Sequence, residues 1–281
     1  MCLRAVGYYL SLQAVGLAMS PSWARTLPGE LKSRLATWAV KVAVAAAGCT
    51  IAHRFLDCAR LAGAWSGIFD PRIEHIAWWS RPGWASIVCA AGLALVSLGT
   101  RKNSPGPHYR AAIGVLITVS SFSLTGHTSE PGLAPAIHLL PALHLALVGF
   151  WLGGISVLQL TARTGDLPAS AALIRGFSAA AIWLVPAIAV AGVLIAAALV
   201  PDPRALLTTH YGELLLLKAL LFSALLALAA INRLVLASRI ALGDVNALQR
   251  FRSVLRGEHG LLTCALVVTA VLTTLAGPHD L

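Results

Sequence analysis

Residues 138–154 read HLLPALHLALVGFWLGG, an apolar run interrupted by two imidazoles, a proline and a tryptophan followed after one residue by two glycines. Extended to 136–160, the run passes the roughly 20 apolar residues that a membrane-crossing helix requires. Seven further segments of similar character occupy 3–20, 35–53, 84–100, 109–125, 176–200, 211–232 and 258–276. Only 11% of the 281 residues are charged and 58% are hydrophobic, with a mean hydropathy of +0.79. A water-exposed surface needs more charge than that. The expected fold is all-α: a polytopic membrane bundle of about eight transmembrane helices, one integral membrane domain over 1–281.

The net charge of +10 lies in short loops rather than in one patch, which argues against a nucleic-acid partner and for a role in orientation. Thirteen of the Lys and Arg residues fall after the first, third, fifth and seventh segments, the richest loop holding Arg233, Arg239, Arg250, Arg252 and Arg256. Six fall on the opposite side, four of them in loop 54–83. The positive-inside bias then places both termini on the periplasmic side. Trp65, Phe69, Trp78, Trp79 and Trp84 in and beside loop 54–83 suit the membrane interface, where indoles prefer to sit. The first segment is read as a retained helix rather than a cleaved signal, because Arg4 alone precedes it and Pro21 makes a poor mature start.

With that orientation, His53, His75, His127, His138, His144, His210 and His279 fall at or near the outer face, and only His108 and His259 inside. Imidazoles mixed with carboxylates there suit capture of a transition-metal cation. Polar capping of helix ends accounts equally well for His53, His210 and His279. It does not account for His144, which lies about 12 Å along its helix from the outer end. At that depth a polar side chain is a functional candidate by default. Trp151, two turns on, shares its face, whereas His138 points about 120° away on an ideal helix. Pro141 between the histidines, and Pro186 in the next segment, interrupt the helices as transport paths often do. Gly149 and Gly153 are read as a helix-packing pair.

The candidate metal ligands are therefore His127, His138 and His144. A second pair is Cys49 and His53, whose i, i+4 spacing puts thiol and imidazole on one face; Cys49 with Cys58 is the competing reading, as a disulfide. The five cysteines form no CxxC pair, so no structural metal centre is expected. Lys218 either snorkels or pairs with Glu213 or another internal group, and Lys41 snorkels. No nucleophile–base motif, phosphate loop or paired catalytic carboxylates occur, so an enzyme is not expected.

GHTSEPGLAPAIHLLPALHLALVGFWLGG (126–154), RGFSAAAIWLVPAIAVAGV (175–193), HYGELLLLKALLFSALLALAAINRLVLASRI (210–240) and LRGEHGLLTCALVVTAVLTTLAGP (255–278) resemble the copper resistance protein D (CopD) family in register over roughly 109–280. The resemblance implies a bacterial inner-membrane protein that moves copper from periplasm to cytoplasm, with copper as substrate, no organic cofactor and a periplasmic copper-binding partner. The family's Gly-His motif maps to Gly126 and His127, and its His-x6-Trp motif to His144 and Trp151; His138 rests on geometry alone. The chain departs from a thioether-lined route, since Met1 and Met19 are its only methionines. Two alternatives stand beside transport: a haem-binding electron carrier using buried histidines, and a docking protein for a periplasmic copper carrier that itself moves nothing.

Overall fold

The computed structural model describes residues 2–101, 107–125, 135–200 and 202–273, and every regular element among them is helical. In chain order these are α1 (Cys2–Met19), α2 (Gly29–Ala62), α3 (Pro71–Trp79), α4 (Arg81–Thr100), α5 (Pro107–Ser121), α6 (Pro135–Thr164), α7 (Leu167–Leu199), α8 (Ala205–Thr208), α9 (His210–Ile231), α10 (Ala237–Ala241) and α11 (Val245–Leu272). A π turn, Asn232–Leu236, joins α9 to α10 in one continuous helix. Among the described residues, six helices are long and apolar enough to cross a membrane: α2, α4, α6, α7, the α9–α10 rod and α11. The other two expected segments, in α1 and α5, are helical but shorter.

Polar residues at the joints set the boundaries. The side chains of Ser80, Asp166, Thr209 and Asp244 accept hydrogen bonds from the N–H groups of Gly83, Ala169, Gly212 and Ala247, capping the starts of α4, α7, α9 and α11. The Ala247 N–H and the Arg239 guanidinium hold the Asp244 carboxyl below its ordinary range. Gly63, at φ +67°, ends α2 in the left-handed conformation that glycine adopts without Cβ strain. The helices outrun the apolar cores read from sequence, because capped and charged turns extend them beyond the hydrocarbon-like stretch.

α1 lies at the centre. It packs against α2 and α4 on one side and α6 and α11 on the other. One core, built from α2, α4 and α5, takes Ala14 and Val15 of α1. The second, built mainly from α6, α7, α9 and α11, takes Leu12 and Leu17. Gln13, although polar, is buried and donates to Ser156 Oγ of α6 at 2.8 Å. Such a bond is worth only about 0.6 kcal/mol in a membrane, so close packing carries the contact. Gly16 supplies that packing: a Cβ there would strike the backbone of Gly149 and Gly153. The small residues of the quoted stretch thus let the two central helices touch.

Cys49 and Cys58 sit nine residues apart on unbroken α2, about 13 Å along the axis. A disulfide needs Cα atoms within about 7 Å, so the disulfide reading is excluded; both are free thiols. Between α2 and α4, Trp65, Phe69 and the α3 residue Trp79 are exposed, and the Trp79 and Trp84 rings meet edge to face at 5.4 Å.

Candidate functional site

The quoted stretch forms the wall of a cavity of about 480 Å³ enclosed by α1, α6, α7, α9 and α11. Pro141 and Pro186 lie inside unbroken helices α6 and α7. Each removes the N–H that would have bonded the carbonyl four residues earlier, on Ile137 and Ile182. His144 faces the cavity from α6, and its ring lies against Gly192 of α7, where a Cβ would approach Cε1 to 3.4 Å.

The His144 Nδ1 atom is 3.2 Å from the Ile188 carbonyl oxygen. A carbonyl can only accept, so Nδ1 carries the proton and Nε2 keeps the lone pair. A ring held by its other nitrogen on a backbone carbonyl is the usual arrangement of a metal-binding histidine. Lys218 of α9 lines the same cavity and opposes any cation there. It does not pair with Glu213, which bonds His210 instead.

Two turns below His144, Trp151 lines the cavity with its ring and is 3% exposed. Its Nε1 makes a long 3.5 Å hydrogen bond to Glu258 Oε2 of α11. The other carboxyl oxygen accepts from Asn232 Nδ2 at 2.5 Å. Asn232 opens the π turn, a helix irregularity that often marks functional positions. Nearby on α11, His259 Nε2 pairs with Tyr9 OH of α1 at 2.6 Å. Sequence reading singled out neither Asn232 nor Glu258. The available signal was that Asn232 and Glu258 lie within the family-like stretches while carrying polar groups into apolar helices.

A second cavity of about 660 Å³ adjoins the first; Arg4, Tyr8, Phe122, Thr125 and Thr273 line both. Arg4 bridges them, donating to Tyr8 OH at 3.0 Å and to the Thr273 carbonyl at 3.1 Å. Cys49 and His53 line the second cavity together with Cys89. His53 Nδ1 is 3.0 Å from Asp57 Oδ2, which leaves its buried Nε2 without a partner. Arg54 and Arg60 also pair with Asp57, so the carboxylate charge is already neutralised.

The structure therefore places His144 in one cavity and Cys49 with His53 in the other. His138 is half-buried on α6 and lines neither. His127 lies outside the described residues. Among the described residues, no three His, Cys, Asp or Glu side chains gather as a metal cage.

The family model for copper resistance protein D matches residues 171–272. The inner membrane protein YebZ of Escherichia coli (strain K12) is 30% identical over 223 residues, covering 75% of this chain and 74% of that protein. The copper transport protein CutJ of Bacillus subtilis (strain 168) is 28% identical over 237 residues, covering 79% of this chain but only 42% of that longer protein. No solved structure matches the chain.

Proposed function

Because this chain belongs to the copper resistance protein D family, we propose that it carries copper across the inner membrane, from periplasm to cytoplasm. It is a multi-pass inner-membrane protein with a copper-related role. In the proposed route the ion enters from the periplasmic side, is held by His144 Nε2 and passes between the proline-containing helices α6 and α7. His127 is the second ligand: it follows by two residues Thr125, which lines the His144 cavity. His138, nearer the mouth of α6, is the entry ligand. Cys49 and His53 form a soft-donor way station in the adjoining cavity. Both termini face the periplasm, 1–281 forms one membrane domain, and a periplasmic copper-binding protein delivers the ion. No enzymatic step is assigned to the chain.

The observation that carries this reading is the hydrogen bond from His144 to Ile188 O, which frees Nε2 inside a cavity. Second-sphere geometry of this kind typically changes metal affinity 10–100-fold. Cells carrying His144→Ala or His127→Ala are expected to lose most of the copper uptake that the wild-type protein confers. Unchanged cellular copper in both variants would remove the ligands on which the route depends.

A further inference from the structure

Beneath the cavity lies a carboxyl group to which the copper route assigns no role. Glu258 is 3% exposed within a membrane-crossing helix, and a carboxylate there is costly unless paired or protonated. The ionisable groups on the elements around it include Tyr9 on α1, His144 on α6, Lys218 on α9, Arg233 in the π turn and Arg239 on α10. Arg256 and His259 flank it on α11. Among the described residues none of these hydrogen-bonds or ion-pairs with Glu258; its partners are the neutral Asn232 and Trp151.

Asn232 points to the proton. Its Nδ2 donates to Oε1, while its Oδ1 is buried with no donor. A buried amide oxygen left unpaired costs roughly 1–3 kcal/mol. A protonated Glu258, already bonded to the same amide, can satisfy it: its O–H turns toward Oδ1 while Oε1 keeps the Asn232 N–H. Trp151 connects this pair to the cavity, with its ring in the wall and its N–H on the carboxyl.

We propose that Glu258 is a proton-carrying carboxyl that couples copper movement to proton movement: it is protonated while the cavity is empty and ionised while copper occupies it. This rests on the copper reading above. The exchange is balanced. The carboxyl O–H bond breaks, its electron pair stays on the carboxylate and the proton passes to water as a cation arrives above Trp151. For a monovalent ion the buried charge does not change, which avoids the cost of adding an uncompensated charge to the apolar interior. The Asn232 and Trp151 donors then stabilise the carboxylate.

The test is copper(I) titration of the purified full chain in weakly buffered detergent under argon, with bound copper and released protons read together. The wild type is expected to release about one more proton per bound copper than E258Q, with copper bound by both. Infrared spectra of the wild type alone are expected to show a carboxylic-acid C=O band that copper(I) removes, a readout that stands even where E258Q fails to fold. Equal proton release by the two proteins, or the absence of such a band, overturns the proposal and leaves the copper reading standing. A wild type that binds no copper overturns the copper reading, and the coupling with it.

Discussion

Which ring nitrogen of His144 is free decides what the residue can do. The Ile188 carbonyl fixes the proton on Nδ1, so His144→Gln could keep the bond to the carbonyl through its amide N–H but would offer the ion a poorer, oxygen donor. Lys218 is the counterweight, a positive side chain lining the same cavity. Lys218→Met keeps the apolar length and removes the like charge, so copper(I) affinity is expected to rise about tenfold, equivalent to roughly 1.4 kcal/mol. Competition with a chromophoric chelator measures it; a weaker affinity would show that the lysine assists binding. At this scale the shared face of His144 and Trp151 was legible in sequence, whereas the sequence grouped His138 with His144 although it lines neither cavity. An imidazole two turns above a tryptophan needed only helical spacing; that Pro141 and Pro186 leave α6 and α7 unbroken did not follow from the sequence. The partners of Glu258 were not legible, because Asn232 stands 26 residues away and Trp151 107 residues away along the chain. Nor was the Asp57–Arg54 pair that neutralises the second cavity's carboxylate.

Among the elements, α1 is the one whose importance its hydropathy understates. It is not one of the six helices apolar enough to qualify as spans, yet it is buried continuously from Ser11 to Leu17. Ser11 and Gln13 lower its hydropathy, and those polar groups face protein rather than lipid. The crossing of α1 with α6 depends on missing side chains, so Gly153→Val is expected to destabilise the bundle by about 1–3 kcal/mol. A fall in the thermal midpoint of the detergent-solubilised protein would register it, whereas Gly29→Ala, where an added Cβ meets nothing within 4 Å, serves as the silent control. An unchanged midpoint in Gly153→Val would mean that the helices do not touch there. The start of α11 adds a pH dependence. The Asp244 carboxyl is held low by the Ala247 N–H, so its cap is fully present above the ordinary carboxylate range. It is lost as pH falls through the lowered folded value; the protection factor of the Ala247 amide, corrected for its intrinsic exchange rate, is expected to fall in acid and to be low at all pH in Asp244→Ala.

Taken as a whole, the molecule joins two cavities at Arg4 and Tyr8. The one on the α6–α7 side holds a histidine with a fixed tautomer and overlies a buried carboxyl; the other holds a thiol–imidazole pair among arginines. The overall class was legible because lipid-facing helices must be apolar along their whole length. The pairing of helices was not, because apolar faces carry little information about which neighbour they meet. In the proposed function the His144 cavity is the copper route and the Cys49–His53 cavity adjoins it. Radioactive copper uptake into inner-membrane vesicles oriented with the periplasmic face outward tests this most directly. The account predicts accumulation by the wild type, nearly abolished in His144→Ala and only reduced in Cys49→Ala; accumulation by His144→Ala at the wild-type rate would contradict it.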